Sequence, residues 1–197
     1  MTVWFATGNP HKQQELAAIL QGHSVKIPSD AGITFAPEEN GASFIDNVLI
    51  KAKALYCLVH APVIADDSGL CVDALNGRPG IHSARYGSKH GVNLSSEERN
   101  ALLLKELATN PQRTARFVCA MALMLSEDRF FIVQETLEGE LCWTASGAGG
   151  FGYDPILYLP SMSCTVAELS DVEKNRISHR GKAGRAIRHI LDTLALP

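Results

Sequence analysis

The stretch TARFVCAMALML from Thr114 to Leu125, followed after the polar break Ser126 to Arg129 by FFIVQETLEGELCW from Phe130 to Trp143, decides the fold. Both runs are rich in β-branched, aromatic and small apolar residues, the composition of strands. The break is too short for a crossover, so the two strands must pair antiparallel. Working outward, strands alternate with helices. Val3 to Ala6 reads as a short buried strand, and Asn9 as a helix N-cap with Pro10 at the first helical position. Leu16, Ile19 and Leu20 recur at helical spacing and Gly22 supplies the stop. A strand follows at Val25 to Ile27. Ser43 with Asp46 resembles a capping box, and Phe44, Val48, Leu49, Ala52, Leu55 and Tyr56 carry an amphipathic helix to about Val59. Pro62 to Ala65 and Leu70 to Leu75 are expected to be separate short strands, the first ending at Asp66 and Asp67. Ser95 with Glu98 opens a helix that ends before Pro111. Ser170 with Glu173 opens a short one, and Ala183 to Leu194 is a terminal amphipathic helix. These elements make the chain α/β, with a mixed β-sheet flanked by helices, in one domain spanning residues 1–197.

Composition narrows the function. With 197 residues, 46% of them hydrophobic, the chain can build one substantial core. A formal charge of -3 provides no broad cationic surface, so nucleic acid is not an expected partner, whereas a small anion needs only a local positive pocket. No apolar run approaches the roughly 20 residues of a membrane span, so no membrane partner is expected. The 5 cysteines are odd in number and lack CxxC spacing, which favours buried free thiols in a reducing compartment, the cytoplasm.

Five groups of residues carry chemistry. Thr7, Gly8, Asn9, Pro10, His11 and Lys12 form a strand-to-helix junction, where helix-end amides and a lysine can meet phosphate. Asp66-Asp67-Ser68-Gly69 sets adjacent carboxylates beside one another; like charges that close need a compensating cation, and Mg²⁺ accepts one or two carboxylates with waters and phosphate oxygens. Asn47 and Lys51 are one helical turn apart on a polar stripe. Gly147 to Gly152 matches GxGxxG, yet Tyr153-Asp154-Pro155 follows where a dinucleotide fingerprint needs a helix. A glycine loop that brings Phe151 or Tyr153 against a planar base fits better. Lys174, His179 and Arg180 supply donors just before the last helix, suited either to base readout or to a charged surface.

With these residues quoted, the chain resembles the inosine triphosphate pyrophosphatase family, also called Ham1-like. The resemblance rests on TGNxxK at Thr7 to Lys12, Phe44-Ile45-Asp46-Asn47 with Lys51, ADDSGL at Ala65 to Leu70, GAGGFGYDP at Gly147 to Pro155 and EKNRISHRG at Glu173 to Gly181. His82 departs from it, since relatives often carry an aromatic there. The resemblance implies a two-lobed fold with an elongated mixed sheet and a central cleft, a homodimer, a Mg²⁺ cofactor, and hydrolysis of ITP, dITP and XTP to the monophosphate and pyrophosphate. It implies that Thr7 to Lys12 bind phosphates, that Glu38 and Asp67 hold metal, and that Asp67 is the general base; Lys51, projecting from its helix, is expected either to offset phosphate charge or to help orient water. Ser68, Phe151, Gly152, Tyr153, Asp154, Lys174, His179 and Arg180 would contact substrate.

Overall fold

The computed structural model of the protein describes residues 1–88 and 92–194. Its strands are β1 (Thr2–Phe5), β2 (Ser24–Lys26), β3 (Val63–Val72), β4 (Thr114–Met124), β5 (Phe130–Leu141), β6 (Leu157–Leu159) and β7 (Cys164–Thr165). The helices are α1 (Pro10–Ile19), α2 (Phe44–Val59), α3 (Ser96–Leu107), α4 (Asp171–Ile177) and α5 (His179–Leu194). The sheet runs in the order β2-β1-β3-β4-β5-β6-β7. It is mixed: β1 lies parallel to β2 and β3, while β6 is antiparallel to β5 and β7. Between β4 and β5 the Leu125 amide donates to the Arg129 carbonyl across a tight turn, as the short polar break requires. Among the described residues no helix is long and apolar enough to cross a membrane.

The chain divides into two compact units. The first comprises Met1–Asp67, Cys119–Glu135 and His179–Pro197. Because side chains alternate along a strand, each sheet face here has its own helices. Val3, Phe5, Ile64, Cys119, Met121 and Leu123 pack with Leu16 and Leu20 from the α1 segment and with Ala183, Ile187 and Leu191 of α5. Val63, Ala65, Ala120, Ala122 and Met124 point the other way and pack with Val48, Ala52 and Leu55 of α2. Gly184 lets α5 approach α1, since a Cβ there would stand 3.1 Å from the Ile19 side chain. The Cys119 thiol is fully enclosed; burial, with Asp66 adding to it, pushes its pKa up to about 12.

The second unit comprises Ser68–Val118 and Thr136–Ser178. Its core gathers Leu70 and Val72 of β3, Leu103 and Leu107 of α3, Phe117, Leu137 and Leu141 of the long strands, and Tyr153, Ile156 and Leu157.

Three expectations are corrected, and two strands had not been foreseen. Asp66 and Asp67 do not end a strand; β3 runs through them without interruption to Val72. The charges do not break the strand because each carboxylate finds cationic or amide partners on its own side. The last helix starts at His179, not Ala183, so His179 and Arg180 occupy its first turn. β6 and β7 are too short for a periodicity to announce. All five cysteines are free, but only Cys119 is buried; Cys57 is exposed and the other three are intermediate.

Candidate active site

The first unit's polar groups follow from the pleat of β3. Asp66 shares the face of Ile64 and reaches α1 and α5; Asp67 shares the face of Ala65 and reaches α2. The paired carboxylates of the sequence are therefore not a pair in space. Asp66, 1% exposed, accepts from Lys12 Nζ at 3.1 Å and from Arg180 Nε at 3.0 Å. Arg180 Nη1 also donates to Glu15 on α1 at 2.7 Å. Burial alone would raise the Asp66 pKa, but the charges of Lys12, Arg180 and Lys51 outweigh it and hold the carboxyl well below the usual range.

Asp67 is arranged differently. Its Oδ2 accepts from Asn47 Nδ2 at 3.1 Å, and its Oδ1 lies 3.5 Å from Lys51 Nζ. The same ammonium donates to Glu39 at 2.9 Å. Burial pushes the Asp67 carboxyl up, and Lys51 and Asn47 offset that only in part. Lys51 itself is raised: burial opposes its charge, but Asp66, Asp67 and Glu39 together favour it. A carboxylate with a raised pKa beside a fixed ammonium is suited to accept a proton from water.

At the start of α1, Asn9 caps the helix by accepting from the amides of His11 at 2.9 Å and Lys12 at 3.3 Å, while its own amide donates to Thr7 Oγ1 at 3.1 Å. These amides, expected to face an anion, are thus occupied by the cap, and the Lys12 ammonium rests on Asp66. Gly8, Pro10 and His11 are exposed. Glu38 is exposed as well, and the carboxylate that reaches Lys51 is that of its neighbour Glu39.

The second unit holds the glycine–aromatic loop. Asp154, 3% exposed, accepts from the Phe151 amide at 2.7 Å and from Lys174 Nζ at 2.8 Å. That ammonium stands 4.5 Å from the centre of the Phe151 ring. A Cβ on Gly150, whose φ is 69°, would run into Asp154 Oδ2, so only glycine fits there. Tyr153 donates its hydroxyl to the Ser83 carbonyl at 2.9 Å, and burial pushes that phenol up to about 12. It is a core residue rather than an open stacking face, which leaves that part to Phe151. Ser68 is half-buried on β3.

Within the first unit, then, Lys12 and Arg180 meet through Asp66, and Lys51 meets Asp67; within the second, Phe151, Asp154 and Lys174 meet. Sequence reasoning gave no site role to Glu15 or Glu39, nor to Asn100 of α3, whose Nδ2 donates to the Gly152 carbonyl at 3.1 Å; Asp66 entered it only as half of a carboxylate pair for a metal, and Asn47 only as the neighbour of Lys51 on a polar stripe. Two signals could have found some of them. Period-two alternation separates Asp66 from Asp67, and helical spacing sets Asn100 in line with the buried Leu103 and Leu107.

A mixed α/β sheet with buried carboxylate–cation contacts on both faces of one strand, together with a lysine-braced glycine–aromatic loop, defines the class of protein. The chain belongs to the Ham1 family, whose model matches residues 3–190 and so takes in both units. It is 52% identical to the dITP/XTP pyrophosphatase of Treponema denticola over 183 residues, covering 93% of this chain and 94% of that protein. It is 46% identical to the dITP/XTP pyrophosphatase of Geobacillus kaustophilus, covering 90% and 88%. The Staphylococcus aureus Ham1 protein matches with a TM-score of 0.88 at 36% identity, covering 98% of this chain and all of that one. A HAM1 protein from Coxiella burnetii gives 0.89 at 36% identity, covering 98% and 99%.

Proposed function

We propose that this protein hydrolyses ITP, dITP and XTP to the nucleoside monophosphate and pyrophosphate, removing deaminated purines from the nucleotide pool. The observation that carries the reading is the environment of Asp67: a buried carboxyl with a raised pKa, hydrogen-bonded by Asn47 and beside the Lys51 ammonium. Simple binding needs no such base. The relatives named as dITP/XTP pyrophosphatases support the choice of substrate class. A cytoplasmic homodimer belongs to the same reading and rests on the family resemblance.

The side chains around Lys51 fit a Mg²⁺ ion. Asp67 and Glu39 offer hard carboxylate oxygens, the donor type that Mg²⁺ takes beside waters and phosphate oxygens. Among the described residues no cluster of three or more His, Cys, Asp or Glu stands ready to hold a metal, so substrate oxygens would complete its shell. Asp67 with Glu39, or with Glu38 next to it, would hold the ion, which when bound polarises phosphoryl oxygens and offsets the charge of departing pyrophosphate.

The chain's own groups do the rest. Asp67 accepts the proton of the water that attacks the α-phosphorus. Lys51 keeps Asp67 oriented and opposes phosphate charge. Lys12, at the positive end of α1, adds a cation for phosphates. In the second unit Phe151 offers a ring face to the base, with Asp154 and Lys174 bracing its loop. Base choice rests on donors from His179 and on the Arg180 N–H groups that its contacts with Asp66 and Glu15 leave over. Hypoxanthine and xanthine carry a 6-oxo acceptor, whereas the adenine amino group would leave buried donors facing one another.

Pyrophosphate release measured over ITP, dITP, XTP, GTP, ATP and UTP, with and without Mg²⁺, tests the proposal. Release from the first three, dependent on Mg²⁺ and far above that from ATP, is expected. Equal release from ATP would overturn the base-reading argument, and release unchanged without Mg²⁺ would remove the metal. Replacing Arg180 with Ala should shrink the ITP-to-ATP ratio of kcat/KM, while Lys12→Ala should leave it nearly unchanged. Equal loss on both substrates in Arg180→Ala would reduce that arginine to support of the fold.

A further inference from the structure

Asn100 lies on α3 where the stripe of Leu103 and Leu107 continues toward the helix start, a place at which the spacing calls for an apolar residue. It is 5% exposed. Its Nδ2 donates to the Gly152 carbonyl at 3.1 Å, while its Oδ1 is buried with no partner among the described residues. Since a carbonyl only accepts, the amide cannot be turned over without setting two acceptors against each other, so this orientation is fixed. Asparagine is a weaker helix former than leucine and here leaves a buried acceptor unsatisfied. For folding alone, leucine would serve α3 better.

What Asn100 holds is the middle of the glycine–aromatic loop. Gly152, with φ at 65°, sits between Phe151 and Tyr153 and has no side chain of its own to fix it. The neighbouring points are held from elsewhere: the Gly149 amide by the Ala167 carbonyl, the Phe151 amide by Asp154, and the Tyr153 hydroxyl by the Ser83 carbonyl. The peptide after Gly152 sets the direction in which the chain leaves Phe151, and Asn100 is the side chain that reaches its carbonyl.

We infer that Asn100 is a positioning residue for the nucleotide base, acting through the Gly152 carbonyl to fix the plane of the Phe151 ring. The inference rests on the proposed role of Phe151 as a base-contacting ring. A residue of this kind does not touch substrate, so its loss weakens binding while leaving the chemical step nearly intact.

Two variants test it from opposite sides, with steady-state ITP hydrolysis and thermal unfolding read together. Asn100→Leu completes the apolar stripe and removes the orphaned acceptor. It should match or exceed the wild-type Tm yet raise KM by about tenfold, the usual scale for one lost buried hydrogen bond, with kcat little changed. Asn100→Asp keeps the shape but sets a carboxylate against the carbonyl, so KM should rise at least as far at pH 8. Protonation restores a donor, and a carboxyl buried against a carbonyl protonates more readily than usual; the ratio of variant to wild-type KM should therefore fall as pH is lowered. Phe151→Ala is the control. A normal KM in both Asn100 variants beside a raised KM in Phe151→Ala would overturn the positioning role and leave the function of the loop standing. A normal KM in all three would overturn the loop's role and the inference with it. A raised KM in Asn100→Asp that does not respond to pH would show that hydrogen donation to Gly152 is not what matters.

Discussion

Asp66 and Asp67 are neighbours in the chain and opposites in the structure. On the α1/α5 face of β3, Asp66 is buried against Lys12 and Arg180 and held strongly acidic. On the α2 face, Asp67 is buried with a more distant ammonium and one amide, and its pKa is raised. Burial favours the neutral carboxyl on both faces; the number and closeness of cations decides which way each one goes. On one face cations from two helices converge on a single carboxylate, and on the other stands a carboxyl that is easier to protonate.

The largest expected effect breaks the second face. Asp67→Asn should lower turnover of ITP by roughly 10²–10⁴-fold, the usual scale for loss of a general base, in saturating Mg²⁺. Near-normal kcat would move the base elsewhere. Next, Asp66→Asn should cost about 3–5 kcal/mol of stability in urea unfolding at pH 7, because it leaves Lys12 and Arg180 facing an uncharged partner in a buried setting. The sign with pH follows from the depressed folded-state pKa: the Asp66 contribution is fully present above its ordinary value of 3.8 and is lost as pH falls through the lower folded value. The gap between wild type and Asp66→Asn should accordingly close in acid and not in base. Glu15→Gln should cost less, about 1.5–3 kcal/mol, since Arg180 keeps Asp66. The smallest effect sharpens the comparison: without divalent ions at pH 7, Asp67→Asn should leave Tm unchanged or raise it, since a carboxyl whose folded pKa is raised opposes folding once ionised. A clear loss of Tm would mean that Asp67 is as structural as its neighbour.

Much of this was legible beforehand where the signal is local. The caps at Asn9, Ser43, Ser95 and Ser170 all hold as expected, because a capping side chain and the amides it satisfies lie within a few residues. The course of β3 was not legible. Asp-Asp-Ser-Gly carries every local sign of a turn, and what keeps it extended is distant in sequence: Lys12, Arg180, Asn47 and Lys51. The start of α5 at His179 was hidden for a similar reason, since Arg180 is charged and its burial depends on Glu15 and Asp66. The motifs did point to Lys12, Lys51, Asp67, Asp154 and Lys174, but residue type and spacing do not say which carboxylate takes which cation. Which of Glu38 and Glu39 reaches Lys51 is a matter of how a loop turns, and no periodicity reports that.

Cys119 provides the molecule with a chemical clock. Burial pushes its pKa up to about 12, so it rests as the thiol at neutral pH, whereas alkylating reagents act on the thiolate. Exposed Cys57, in the same unit, has no such shelter. A reagent pulse followed by peptide mass analysis would thus mark Cys57 in every native molecule and Cys119 only in those whose first unit has opened. The ratio of the two marks reports the frequency of that opening without any added probe.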